Sequence, residues 1–461
     1  MLRTTSTAIL TLVVFGQSIA DRPAGAWRQY AAVEDAGFDA AALAKARAHA
    51  ESSGSSAVLL VHHGRVVFAW GDPGRSYMTR SVRKSLVDLM LGTTAVQASL
   101  RLDATLADQR IDDLEPLTVQ ERSATVAHLL ASRSGVYHPA AREPMSMTKS
   151  RPERGSARPG ARWFYNNWDF NALATVYARL TGTDIVTGFH RTLAEPLGLE
   201  DYGADDGFLI REPGKSRHPA YEFPLSARDL ARLGQLVVQD GRWDGRRIVS
   251  SSWLAESFRI RSPFPAGGGY GYLWWIDAGR FRAAGTPLPA LDAVDDVAAL
   301  GLGNQMLLVV PALQLVFVHL SANRDGSDRT PFEIADLVLQ ARRGDPRPGA
   351  RLVDLTSQPL PNERPAPTAR QAIPLPANAR DYAGEYAVSP TVRAVIRHID
   401  DGLFIDMPGR GEAELFQEAA DRFFLKVVDV VVTFERDAAG VVTAARVVES
   451  GRPPLVARKV R

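Results

Sequence analysis

The chain has 461 residues, 45% hydrophobic and 23% charged, with a formal net charge of +2. That length accommodates two or three domains with a sizeable core, and the composition is that of a soluble globular protein. The near-neutral balance gives no electrostatic footprint for nucleic acid, and the absence of cysteine removes disulfides, thiolate metal sites and lipid attachment through a processed N-terminal Cys.

The chain opens "MLRTTSTAILTLVVFGQSIAD", in which Arg3 is the only charge before Asp21. An apolar run from Ala8 to Phe15 is followed by Ser18-Ile19-Ala20, small residues around a bulky one. This layout predicts a signal peptide over residues 1–20, cut after Ala20, and therefore a periplasmic or secreted protein. The run is too short to span a bilayer, and no later stretch reads as transmembrane.

Phe38 to Ala50 reads as a surface helix. "AVLLVHHGRVVFAWG" (Ala57 to Gly71) reads as a hairpin turning at His63-Gly64, and strand alternation would send His62 and His63 to opposite faces, unable to share one metal. Helical runs follow from Ser81 past Met90, from Ala124 to Gly135, from Asn166 to Gly182 and from Ser226 to Gly241. Between the second and third, Tyr137 to Arg162 reads as a long irregular loop. "NQMLLVVPALQLVFVHLS" (Asn304 to Ser321) reads as a second hairpin broken at Pro311. Helices between hairpins predict an α/β (α+β) domain over residues 21–343, built on an antiparallel sheet. Residues 344–378 are proline-rich and short of large apolar side chains, as a semi-extended linker would be. Residues 379–461 carry short β-type runs separated by turns, predicting a small all-β domain, a curved sheet or partial barrel.

Two segments contain S-x-x-K: "TRSVRKSLVDLMLG" with Ser81 and Lys84, and "MSMTKSRPERG" with Ser146 and Lys149. One helical turn brings residues i and i+3 together. A serine hydroxyl needs a base beside it, and lysine serves as one when burial lowers its pKa. The apolar residues Val82, Leu86, Leu89, Met90 and Leu91 supply burial around Lys84. Around Lys149 the chain is polar, arginine-rich and flanked by Pro144 and Pro152, so that lysine is read as a solvated cation. Farther on, "PGARWFYNNWDFNAL" holds Tyr165-Asn166-Asn167, where a phenol can relay a proton to a leaving group and an amide can orient the lysine. Tyr137, His138 and Trp163 stand as pocket-lining or packing residues.

These motifs, with "HLLASRSGVYHP", "AEPLGLEDYG", "GYGYLWW" and "ALGLGNQMLLVVP", make the chain resemble the serine β-lactamase-related family, which includes class C β-lactamases, D-alanyl-D-alanine peptidases, esterases and amide hydrolases. The resemblance spans roughly Ala57 to Ser321. It implies a helical lobe packed on an antiparallel sheet flanked by helices. It further implies Ser81 as the acylated nucleophile, Lys84 as general base, Tyr165 as proton shuttle and Asn167 as the positioning amide. The family's third motif aligns with Ala299-Leu300-Gly301, and the N–H groups of Leu302 and Ser81 would form the oxyanion hole.

That third motif lacks the cationic or hydroxyl side chain that would bind a substrate carboxylate, and leaving one unpaired on desolvation costs roughly several kcal/mol. The expectation is an exported serine hydrolase acting on a small-molecule ester or linear amide, with an arginine of the loop Tyr137 to Arg162 as a substitute carboxylate partner if one is needed. The competing readings are a β-lactamase or D-alanyl-D-alanine carboxypeptidase, and a catalytically idle cell-envelope binding or sensor protein. No cofactor is expected, because the histidines do not fall at metal-ligand spacings. No nucleic-acid partner is expected either, and the oligomeric state is left open.

Overall fold

The computed structural model describes residues 25–282, 287–322, 328–361, 370–407, 411–450 and 452–460; the expected signal peptide lies outside them. The main sheet joins β1 (Arg28–Tyr30), β2 (Ala57–His62), β3 (Arg65–Gly71), β4 (Ser262–Pro263), β5 (Gly269–Tyr270), β6 (Trp275–Ile276), β7 (Val297–Gly301), β8 (Gln305–Val310), β9 (Leu315–Leu320) and β10 (Leu352–Asp354). Their order is β4-β5-β6-β7-β8-β9-β2-β3-β1-β10. Every pair is antiparallel except β1 with β3.

Both faces of this sheet are covered, which explains why its central strands read as continuous apolar runs rather than alternating ones. Along β2, Ala57, Leu59 and Val61 enter one core while Val58 and Leu60 enter the other. Helices α1 (Ala40–Ser52) and α5 (Thr330–Ala341) pack together over the second core. The first core lies against α2 (Val82–Leu91), α3 (Asn167–Thr181) and α4 (Ala227–Val238). A Cβ at Gly234 of α4 would come within 2.5 Å of Val316 Cγ1, so glycine sets the close approach of this helix to β9. Every residue of α2 is buried. Truncating Leu86 or Leu89 to alanine therefore costs about 2–5 kcal/mol.

Several elements depart from the sequence expectation. The helix expected from Ala124 to Gly135 is confined to Val126–Leu130. Ser132 takes φ +53, and its carbonyl and that of Arg133 accept from Phe164 N and Gly160 N, so the backbone serves a loop contact instead of continuing the helix. The loop Tyr137 to Arg162 contains a short helix, Met145–Ser150. Within the proline-rich stretch, β10 extends the main sheet and Ile373 bridges to Gln417. The strands β4–β6 were not anticipated; each is two residues long, below the reach of periodicity.

The C-terminal strands close fully into a barrel rather than a partial one: β11 (Gly384–Ala387), β12 (Arg393–Ile399), β13 (Gly402–Met407), β14 (Gly411–Ala419), β15 (Arg422–Leu425), β16 (Val430–Arg436), β17 (Val442–Glu449) and β18 (Leu455–Lys459). Tyr386 of β11 pairs with Lys459 of β18, which removes both edges. Tyr386, Leu403, Leu415, Phe423 and Phe434 fill the interior.

Candidate active site

Ser81 stands at the N-terminus of α2, half-buried, with helical backbone angles of φ −76° and ψ −9°. One turn on, Lys84 is 2% exposed. Its Nζ lies 3.0 Å from Ser81 Oγ, 2.9 Å from Tyr165 Oη and 2.8 Å from Asn167 Oδ1. Asn167 begins α3, where the Asn166 side chain caps the helix by accepting from Trp168 N at 3.2 Å. The Asn167 orientation is fixed on its far side too, because Nδ2 donates to the carbonyl of Arg142 at 2.7 Å, an atom that only accepts.

Burial holds the Lys84 amine well below the usual lysine range; the Arg83 charge pushes the same way and Glu222 opposes. The ring faces of Tyr165 and Phe170, 4.1 and 4.2 Å from Nζ, favour a cation. That attraction is worth about 0.5–2 kcal/mol, against several for removing an ammonium from water. Desolvation wins. A neutral amine has two N–H bonds and one lone pair, and Asn167 Oδ1 can only accept, so the lone pair is left for the hydroxyl of Ser81 or Tyr165.

Strand β7, which carries the third motif, lies alongside. A Cβ on Gly301 at the end of β7 would sit 2.4 Å from the carbonyl of Thr79 and 3.3 Å from Arg80 Cβ, so this strand edge passes directly beside the residues leading into Ser81. Ala299 is buried, Leu300 packs on the second core, and Leu302 follows in the β7–β8 turn, 73% exposed.

A family model described as Beta-lactamase matches residues 40–343. The chain belongs to the beta-lactamase family, a family of serine hydrolases. A second model, a domain of unknown function (DUF3471), matches residues 368–453, which takes in most of the barrel. A comparison with curated proteins finds no match. Among solved structures, this beta-lactamase-family chain is similar to a penicillin-binding protein homologue from Caulobacter crescentus, with 13% identity over 65% of this chain and 96% of that one and a TM-score of 0.49. An octameric penicillin-binding protein homologue from Pyrococcus abyssi shares 16% identity over 90% of this chain and 98% of that one, at a TM-score of 0.46. EstCE1, described as a hydrolase with promiscuous acyltransferase activity, shares 17% identity over 67% and 99%, at 0.47.

The second S-x-x-K lies on the short helix Met145–Ser150, with Ser146 and Lys149 both exposed. His138 is buried, 3.3 Å from Glu121 and with its ring 6.0 Å from that of Trp168. Tyr137 packs edge-on against Phe164. Trp163 joins an aromatic wall with Phe264, Tyr270 and Trp275, and the last two also flank the Tyr165 ring.

Other residues of this centre escaped sequence reasoning. Met147, between the two residues of the rejected motif, takes the Asn167 N–H on its sulfur at 3.3 Å. Glu222 accepts from Thr79 Oγ1 at 2.9 Å and Arg80 N at 3.0 Å. The latter contact crosses 142 positions of chain, and no local spacing could have announced it. Trp275 was visible in "GYGYLWW" but carried no assigned role.

The expectation that His62 and His63 diverge is also overturned. His63 enters the turn at φ +49, alternation ends there, and the two rings meet at 4.6 Å between centroids. With Asp345 they bring ligand-type atoms within 4.8 Å of one another. Arg342 donates to Asp345 Oδ1 at 2.6 Å and to His62 Nε2 at 3.5 Å, so a fixed positive charge already sits among them. Among the described residues, no helix is long and apolar enough to cross a membrane.

Proposed function

We propose that this chain is an exported serine hydrolase that cleaves an ester or linear amide through an acyl-enzyme on Ser81. The observation that carries this reading is the threefold contact of the desolvated Lys84 amine with the Ser81 hydroxyl, the Tyr165 phenol and the Asn167 amide.

In the proposed mechanism Ser81 Oγ attacks the substrate carbonyl as Lys84 takes its proton. The developing oxyanion is received by the N–H groups of Ser81 and Leu302. Collapse breaks the ester or amide bond, and the proton held by Lys84 passes through Tyr165 to the leaving alcohol or amine. Water then attacks the acyl-enzyme with the same proton path reversed, releasing the acid and free Ser81.

The substrate preference rests on charge. Ala299, Leu300 and exposed Leu302 offer no partner to a carboxylate beside the scissile bond. Of the five arginines in the neighbouring loop, Arg151 is paired with Glu143 and Arg154 with Glu115 and Glu121, while Arg158 and Arg162 are exposed. The third-motif strand by itself favours an uncharged group at that end over a β-lactam or peptidyl-D-alanine. Export rests on the signal-peptide layout, and N-terminal sequencing of exported protein is expected to begin at Asp21.

The test is covalent labelling of wild type and Ser81→Ala with a fluorophosphonate and a fluorescent penicillin. Fluorophosphonate labelling that disappears in Ser81→Ala is the expected result. Penicillin labelling moves the reading to a β-lactamase or peptidase, and labelling by neither leaves a catalytically idle binding protein. Rates on short p-nitrophenyl esters, a linear amide and a chromogenic cephalosporin then rank the substrates.

A further inference from the structure

Among the arginines in left-handed backbone are Arg80 at φ +56 and Arg142 at φ +58. Both touch the catalytic centre through their main chain. Arg80 immediately precedes Ser81, and the Arg142 carbonyl orients Asn167. For a non-glycine residue this conformation is strained and persists only where surrounding contacts enforce it. In both cases the enforcing contact is a glutamate on one N–H: Glu222 Oε1 accepts from Arg80 N at 3.0 Å, and Glu212 Oε1 accepts from Arg142 N at 3.1 Å.

Both glutamates belong to a single ribbon. Strand Phe208–Ile210 pairs with Ala220–Glu222, Phe208 opposite Glu222, and Arg211 and Glu212 begin the connection between them. The C-terminal barrel grips this ribbon. Arg211 forks onto Glu414 of β14, at 3.1 and 2.5 Å, and reaches Asp401 at 2.6 Å. Gly214 N donates to Glu412 Oε2 at 3.1 Å. Lys426 lies over the rings of Phe208 and Phe416, 5.4 and 4.6 Å from their centroids. A small cleft between the barrel and the ribbon is lined by Arg142, Phe208, Glu212, Glu414 and Lys426 among others, so Arg142 faces the barrel on one side and Asn167 on the other.

From these contacts we infer that the barrel is a positioning device for the catalytic centre. It clamps the ribbon, and the ribbon holds the nucleophile through Glu222 and the lysine-orienting amide through Glu212. Glu212 and Glu222 are then positioning residues, and Arg211 with Glu414 is the clamp. The inference rests on the hydrolase reading for its kinetic consequence, but its mechanical part stands on the hydrogen bonds alone.

The experiment uses the full-length protein. Glu212→Ala is expected to lower kcat on a p-nitrophenyl ester about tenfold with KM within twofold, and to shift the acid limb of the pH–rate profile. Glu212→Gln keeps an oxygen for the Arg142 N–H and is expected to recover most of the rate. Arg211→Ala is expected to lower kcat severalfold, and the swap Arg211→Glu with Glu414→Arg to regain part of it. Hydrogen exchange is followed in parallel: Arg211→Ala is expected to speed exchange of the amides of Arg80 and Arg142.

A wild-type kcat and pH profile in Glu212→Ala overturns the inference. Equal losses in Glu212→Ala and Glu212→Gln together with a lowered Tm also overturn it, since that pattern is general loss of packing. Should wild type neither turn over the ester nor take the fluorophosphonate, the hydrolase reading falls instead. Exchange at Arg80 and Arg142 then decides: faster exchange in Arg211→Ala upholds the clamp, and unchanged exchange removes it.

Discussion

In one copy of S-x-x-K the lysine is 2% exposed, on a ten-residue helix that is buried throughout and abuts the main sheet. In the other, Ser146 and Lys149 stand on the outer side of a six-residue helix within a surface loop, with Met147 alone turned inward. The two pairs share a spacing, and both spacings are helical. What separates them is the solvent. At the first, water is replaced by three polar atoms and two aromatic faces, and burial holds the amine's ionisation well below the usual lysine range; at the second, the side chain stands open to water. A motif of this kind is a statement about geometry, and the chemistry depends on what buries it.

The largest expected effects come from breaking the buried copy. Ser81→Ala removes the proposed nucleophile and should lower kcat/KM at least about a thousandfold. Lys84→Ala removes the proposed base, for an expected loss of roughly a hundred- to ten-thousandfold. Steady-state rates on a p-nitrophenyl ester measure both, and mass spectrometry checks that no acyl adduct forms on Ser81→Ala. Residual activity of either variant within tenfold of wild type would sink the assignment. Tyr165→Phe keeps the ring against Trp275 and Phe170 and deletes only the hydroxyl. Its loss should be about a hundredfold, and smaller for esters with good leaving groups that need no proton.

The contrast also marks how far the sequence was readable. Ser81, Lys84, Tyr165 and Asn167 lie in two segments more than eighty residues apart, and their convergence was foreseen because each segment carries its own cue: an apolar run after S-x-x-K, and a capped helix start after Y-x-N. The buried hairpins were legible for the same reason, being long runs of β-branched and large apolar residues. What escaped was whatever depends on contacts between distant segments with no periodicity of their own. The two-residue strands β4–β6 are one case, and Glu222 reaching back to Arg80 is another. The closure of the barrel is a third, because the pairing of Tyr386 with Lys459 is a property of the whole sheet. His62 and His63 were misjudged because a turn residue does not obey the alternation of the strand before it.

A finer break acts on the solvent difference itself. In the proposed mechanism Lys84 acts as a base only when neutral, so kcat/KM should rise with pH through the amine's ionisation. Because burial holds that ionisation well below the usual lysine range, the rising limb should fall well below about pH 10.4, the value for a free lysine. Phe170→Leu withdraws a ring 4.2 Å from Nζ and lets water closer. The gain in hydration outweighs the lost cation–π attraction of about 0.5–2 kcal/mol, so protonation becomes easier, the limb moves to higher pH, and the rate at pH 7 falls by roughly three- to tenfold. Arg83→Met works in the same direction by removing a like charge, with a smaller displacement. A limb that stays fixed in Phe170→Leu, at unchanged Tm, would mean that desolvation is not what sets the lysine.

The smallest effect tests the exposed copy. Ser146→Ala combined with Lys149→Ala should leave kcat/KM within twofold of wild type, since neither side chain is shielded from water and neither is part of the Lys84 contact set. Met147 differs from its neighbours. Its sulfur accepts the Asn167 N–H at 3.3 Å, and Asn167 in turn takes a Lys84 N–H, so Met147→Leu keeps the volume while deleting an acceptor. Sulfur is a weak acceptor, and a two- to fourfold fall in kcat is expected, with KM and Tm near wild type. If the double variant lost activity tenfold while Met147→Leu did not, the contribution of this segment would lie in its charged, exposed residues. The distinction drawn between the two copies would then have to rest on something other than water.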